Sequence, residues 1–422
     1  MILIIGGGLA GLACATKLEE AGADWLLLEA AQLPGGRVAT EITPEGYHLD
    51  LGFQVLLDSY PTAWKLLDLP ALKPRYFKSG ALLVTNGKNE ESQWERFLNP
   101  LVHPEWALGA LLTTAFSWSE KFSISAHAMV QLLRSDKELL QKEAGHSAME
   151  ELRRLGLNDG ILERFLRPFF AGVFLDNDLG IDASIFRYDL KKFAFGRVLL
   201  PAGGMGAIPE QLASRLPQDR LRYGARVTAL HRIDDQFTHI ELSDGETIEC
   251  KELVLATDEA TTRSLLGLPS GQHWFGVTTL YFTGEEPLYE GALLVLPEGK
   301  EKIVRHFVDL TNIAPEYAPR GKRLLSATVL NPPTADSQAL ASMAQAEISA
   351  YLPAFANWKF LKEIKIARAL PSRHPGYGKK LLPVHFASNL SLTGDQVSPA
   401  SIEAALASGL QTADEVLRAV VR

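Results

Sequence analysis

Residues 2–37 read ILIIGGGLAGLACATKLEEAGADWLLLEAAQLPGGR, and this stretch decides the fold. Residues 2–5 are a continuous apolar run, as in a parallel strand buried on both faces. Residues 9–21 have helical spacing, and residues 25–29 form a second buried run. Together they predict a β-α-β unit that starts at the first residue, with no room ahead of it for a signal peptide. Gly6-x-Gly8-x-x-Gly11 falls between the strand and the helix, the context in which this pattern carries meaning. Gly6 allows the tight turn, and Gly8 lets the backbone approach a pyrophosphate at the positive end of the helix. Gly11 lets helix and strand pack closely. Leu9 and Ala10 open the helix beside the same ligand. Glu29, followed by Ala30, ends the second strand, where a carboxylate accepts hydrogen bonds from both adenosine ribose hydroxyls and disfavours a 2′-phosphate. The plain alternative, a chance glycine turn, leaves the acid unexplained.

Outward from this unit, the same domain returns twice. Residues 226–230, 237–242 and 247–250 are short alternating segments around Asp234-Asp235 and Asp244-Gly245, which predicts a three-stranded meander, and residues 253–256 are another buried strand. Residues 390–393 read as a strand, followed by Gly394-Asp395 and an Ala/Leu-rich helix over 399–420. Between these blocks, 104–192 is mostly helical with breaks expected at Gly145, Gly156 and Pro168. Residues 274–368 are mostly strands, with one helix near 335–351. The expected fold class is α/β. A Rossmann-like dinucleotide domain (parallel sheet plus meander) is assembled from residues 1–75, 195–268 and 385–422, and a mixed α+β substrate domain is inserted as 76–194 and 269–384.

Composition narrows the function. The 422 residues are 46% hydrophobic and 22% charged, ordinary globular material, and 42 basic against 50 acidic side chains give a net charge of -8. That balance disfavours a nucleic-acid partner. Two cysteines, Cys14 and Cys250, are too few for a disulfide framework or a cysteine metal site, which suits a reducing, cytoplasmic setting. The ten histidines show no metal-ligand spacing, so no metal is expected. The most membrane-like stretch, residues 106–118, is shorter than the roughly 20 residues a spanning helix needs. It reads as a core helix or, less simply, as a peripheral membrane contact. Arg153, Arg154, Arg164 and Arg167 read as a solvated cationic face.

The continuation Pro34-Gly35-Gly36-Arg37 adds a second glycine pair and a cation, suited to a flavin pyrophosphate. With this run, residues 6–37 resemble the flavin amine oxidase superfamily, which includes protoporphyrinogen oxidases and phytoene-desaturase-type enzymes. The resemblance resumes at His48-Leu-Asp-Leu-Gly52-Phe-Gln54, at Leu200-Pro-Ala-Gly-Gly-Met-Gly206 and at LVLATD, residues 253–258, which contains Ala256. It returns at Thr393-Gly394-Asp395 and at the segment beginning Ser401-Ile402-Glu403. It implies FAD as cofactor, with Gly52 and Ala256 near it, Val227 at the adenine and Asp395 at the ribityl or pyrophosphate side. It places the helix N-terminus at Ser401 and Ile402 against the isoalloxazine, where a helix dipole of about +0.5 charge stabilises a reduced flavin. Glu403 reads equally as a capping-box partner of a nearby hydroxyl.

Departures from the family shape the rest. No cysteine follows Cys250, so the flavin is expected to be non-covalent. The lysine that amine oxidases place near flavin N5 falls near residues 277–279, where none stands, and only Tyr377 offers an aromatic in Arg373-His-Pro-Gly-Tyr-Gly378. His374 and Tyr377 read better as a turn than as substrate contacts. The Arg164–Phe174 segment instead resembles desaturase-type members. The expectation is an FAD-dependent oxidoreductase that moves hydride from a C–H bond of an apolar small molecule to flavin N5. Trp106, Leu111, Phe116, Phe165, Phe169, Phe170 and Phe174 are candidate walls. The alternatives are an amine oxidase acting on a small amine, a flavin-dependent isomerase and a catalytically silent flavin-binding protein. The catalytic residues, electron acceptor and oligomeric state carry no signal.

Overall fold

The computed structural model describes residues 1–86, 92–99, 102, 116–157, 160–269, 271, 273–299 and 302–420. The α/β expectation holds. A six-stranded sheet runs in the order Leu221–Arg222, Trp25–Leu28, Ile2–Ile5, Glu252–Leu255, Leu390–Leu392, His385–Ala387. Its first five strands are parallel and the last is antiparallel. The apolar run at its centre is divided by the pleat. Ile2 and Ile4 face the core that contains Leu12 and Leu406 from the helices Leu9–Glu20 and Ile402–Val420. Leu3 and Ile5 face Phe237, Ile240 and Leu242 of the meander Val227–Ile233, Gln236–Leu242, Thr247–Glu249. Burial on both faces is why these strands read as uninterrupted hydrophobic text.

A second sheet of seven strands is ordered Lys359–Pro371, Trp274–Gly284, Arg323–Val329, Val304–Asp309, Leu294–Pro297, Gly80–Asn86, Ser92–Leu98. Its pairings are antiparallel except Leu294–Pro297 with Gly80–Asn86. Helix Ser337–Ser349 covers one face through Leu340, Ala341, Ala344 and Ile348, which pack with Leu280, Phe282 and Phe307. The other face, bearing Val277, Leu294 and Val308, belongs to the main core. A small antiparallel sheet, Leu56–Leu57, Val198–Pro201, Pro74–Tyr76, lies beside it in the sequence blocks that join the two larger sheets.

The helical stretch departs from expectation at Pro168. Gly145 and Gly156 interrupt helices with φ of +75° and +72°, but Pro168 does not. A π-turn over Leu162–Leu166 runs directly into helix Arg167–Phe174, and the Arg167 N–H reaches back to the Leu162 carbonyl. Widening the turn accommodates a residue that lacks an N–H and would otherwise clash with the preceding turn. The arginines also divide. Arg153 and Arg154 are exposed, whereas Arg167 is buried, paired with Glu163 at 2.8 Å and bonded to the Asn177 carbonyl, and Arg164 is an ion-pair partner of Glu95. A solvated face is therefore the wrong description for two of the four. Of residues 106–118, only Phe116, Ser117 and Trp118 are among the described residues. Trp106 and Leu111 lie outside them. Among the described residues no helix is long and apolar enough to cross a membrane, and no group of three His, Cys, Asp or Glu is arranged to hold a metal.

Candidate functional site

The glycines of the first turn do different work. A Cβ on Gly6, whose φ is +111°, would stand 2.8 Å from the Ala256 carbonyl oxygen, and one on Gly11 would stand 2.0 Å from the Gly6 oxygen. Both positions are closed by backbone. At Gly8 the nearest atom to a Cβ is the Gly35 oxygen at 3.9 Å, so this residue leaves its face open where helix Leu9–Glu20 begins. Glu29 sits just past its strand. One carboxylate oxygen accepts the Gly7 N–H at 2.6 Å and the other the Ala31 N–H at 2.7 Å, which aims the group at the mouth of the turn.

The two ends of the chain meet over this turn. Arg37 donates to the Asp395 carboxylate at 2.5 Å and to the Ala369 carbonyl at 3.0 Å. Its charge is thus shared with an acid. Asp395 follows Gly394, whose φ is +91°, and its other carboxylate oxygen is buried with no partner among the described residues. Arg373 donates to the Asp395 and Ser398 carbonyls; burial lowers its pKa, against the pull of Asp395. Ser401 caps its helix by accepting the Ala404 N–H at 3.0 Å. Glu403 is not part of a local capping box. It accepts the N–H groups of Thr62 (2.9 Å) and Ala63 (3.2 Å), capping helix Pro61–Leu66 and locking it to the helix that faces the site. Asp50 is likewise a fastener. It accepts the Met205 N–H and the Tyr317 hydroxyl, and burial raises its pKa to about 6 against those bonds.

A single cavity of about 1050 Å³ runs through these groups. All the cofactor residues expected from sequence line it except Gly11, which lies beneath the turn. Neither cysteine lines it. The glycine turn, Glu29, Gly36, Val227, Gly52, Asp395 and Ile402 line it, and so do the aromatic walls of a chamber. Phe165, Phe169, Phe170 and Phe174 line this chamber in a chain of ring contacts at 5.1–5.6 Å. Phe116 does not line it; it packs edge-on against Phe97 in the core. Tyr377 is buried in a turn and His374 pairs with Asp176 at 3.3 Å, and neither lines the cavity. Although residues 277–279 hold no lysine, two exposed lysines do line the cavity, Lys78 and Lys365, the latter opposite Thr278.

Two chamber groups escaped the sequence reading. Asp189, on helix Ala183–Phe195, lines the cavity, and no hydrogen bond joins its carboxyl to any described residue; burial raises its pKa to about 7, opposed by Lys192. Its signal was present, a carboxyl between Ile185 and Phe193 on an apolar i, i+4, i+8 row. His306 is 3% exposed, and burial lowers its pKa to about 3. No local sequence signal marks it.

The comparisons agree with this architecture. The model of the family described as flavin containing amine oxidoreductase matches residues 9–417. Phytoene dehydrogenase of Streptomyces griseus is 28% identical over 300 residues, which is 63% of this chain and 56% of that protein, so the match spans about half of the relative's own length. An oxidoreductase from Methanosarcina mazei superposes with a TM-score of 0.73 at 16% identity, covering 98% of this chain and 99% of that one. A putrescine oxidase bound to putrescine gives 0.74 at 16%, covering 99% and 98%. At such identities these two establish the fold alone. With a family match over nearly its whole length and the glycine turn, Glu29 and the C-terminal helix lining one cavity, this chain belongs to the flavin-containing amine oxidoreductase family, and its cofactor is FAD.

Proposed function

We propose that this chain is an FAD-dependent oxidoreductase that removes hydride from a C–H bond of a largely apolar small molecule. The observation that carries the reading is the continuity of one cavity from the glycine turn to the phenylalanine chamber. FAD, when bound, supplies the hydride acceptor. The residues present fit it. The open face at Gly8 and the helix end behind it suit a pyrophosphate, Glu29 the ribose, Val227 the adenine side, and the unpartnered Asp395 oxygen a hydroxyl. Gly6, Leu9, Ala10, Ala30, Gly35, Gly36, Arg37, Gly52, Ala256 and Gly394 complete the wall, and the N-terminus at Ser401 and Ile402 favours negative charge beside them. Both cysteines lie away from the cavity, which supports non-covalent binding. Residues 1–75, 195–268 and 385–422 form the FAD-binding part, and 76–194 and 269–384 the substrate part.

The aromatic walls exclude water and orient an apolar substrate against the cofactor edge. The protein works in the cytoplasm, with peripheral contact to a lipid surface through Trp118 and Phe122. These residues are 66% and 76% exposed on helix Trp118–Leu132, which also contributes Met129 to the cavity. One observation favours a second reading, oxidation of an amine: the Asp189 carboxyl could pair with an ammonium group. Anaerobic mixing separates the two. Bleaching of the bound flavin by lipophilic alkenes such as carotenoid precursors supports the proposal, and bleaching by primary amines or polyamines alone overturns it in favour of the second.

A further inference from the structure

The floor of the aromatic chamber is one face of the seven-stranded sheet, and it carries polar groups that bond to none of the described residues. His306 and Thr328 line the cavity, are 3% and 2% exposed, and stand opposite each other in register on neighbouring strands. Thr279, fully buried, is the register partner of Thr328 on the next strand. Both imidazole nitrogens of His306 and both threonine hydroxyls lack a partner among the described residues. Leaving such buried groups unpaired is costly, so three in a row, two of them lining a cavity, call for an explanation.

The strand is bent to produce this row. In unbroken alternation Val304 and His306 would share a face, yet Val304 packs with Leu280 and Phe282 in the core under helix Ser337–Ser349. A register shift between Val304 and His306 makes Arg305 the extra residue and turns His306 to the cavity. Bulges of this kind re-aim side chains next to sites. The opposite wall makes room, since a Cβ on Gly172 would stand 2.6 Å from His306 Nδ1, and Phe53 packs on the ring at 4.9 Å between centroids. Burial, with Arg305 beside it, keeps the imidazole neutral, so it offers one donor and one acceptor.

We propose that His306 and Thr328 form a subsite for a hydroxyl group on the substrate, which is therefore a lipophilic alcohol and not a pure hydrocarbon. The inference rests on the apolar-substrate reading and sharpens it. A hydroxyl donates once and accepts, matching an imidazole acceptor and a threonine donor, whereas a cation would find no negative partner in this row. The test is equilibrium dialysis of the FAD-loaded protein against farnesol and against farnesene, its hydrocarbon counterpart. The wild type is expected to hold farnesol at least tenfold more tightly. Thr328→Val, close to isosteric, and His306→Phe should each cut that ratio by at least threefold while leaving farnesene affinity unchanged. Equal affinities in the wild type, or a preference that survives in Thr328→Val, overturns the subsite and leaves the apolar-substrate reading standing. Binding of neither compound overturns both.

Discussion

Glu29 spends one lone pair of each carboxylate oxygen on the Gly7 and Ala31 N–H groups and keeps the others for the ribose hydroxyls that we propose it binds. Charge-assisted bonds of this kind are worth about 1.5–3 kcal/mol each. Glu29→Ala should therefore lose most of its FAD on dialysis while its circular dichroism stays that of the wild type; retained FAD would make the acid a loop fastener only. Asp189 makes the opposite kind of prediction. Its pKa rises on folding from 3.8 to about 7, so the native state holds the proton more tightly than the unfolded chain. The stability this contributes is complete below about pH 4 and is lost as pH rises through 7. In melting curves of the FAD-free protein, Asp189→Asn should match the wild type at about pH 4 and exceed it at pH 8. Parallel pH profiles would mean that the carboxyl is solvated or paired.

At the scale of elements, the critical crossing is that of helices Leu9–Glu20 and Ile402–Val420. A Cβ on Gly409 would stand 2.2 Å from the Ala10 carbonyl oxygen and 2.9 Å from the Ala13 Cβ, so Gly409→Ala must push the helices apart. Overpacking of this sort costs about 1–3 kcal/mol, and because Ala10 lines the cavity, a lowered melting temperature should come with weaker FAD retention. A variant with unchanged melting and FAD content would show the crossing to be compliant. These helices were legible in sequence because the glycine turn, the acid after the second strand and the Thr393-Gly394-Asp395 entry are local signals set by backbone geometry. The chamber was not legible. Its floor joins residues 80–98 to 274–371 through register alone, a bulge at Arg305 inverts the alternation that sequence reading assumes, and a π-turn hides the continuity across Pro168. The phenylalanines were legible as candidate walls, but Asp189 could be placed on a helix and not on the cavity side of it.

For the molecule as a whole, the exposed apolar side chains of helix Trp118–Leu132 bear on how the apolar substrate we propose would be delivered. Sedimentation with phosphatidylcholine vesicles should carry down the wild type and much less of a Trp118→Ser, Phe122→Ser double variant, with FAD content equal in the two. Absence of the wild type from the pellet would place substrate delivery in solution. A last consequence concerns the link between Arg37 and Asp395, which joins positions 358 residues apart across the cofactor cleft. The central sheet likewise sets Ile2–Ile5 and Leu390–Leu392 on either side of Glu252–Leu255. A ribosome that has made the glycine turn must still add almost four hundred residues before the opposing wall exists. A nascent copy therefore has only one wall of the cleft until Asp395 has been made, and grip on the nucleotide from both sides is a late property of the chain.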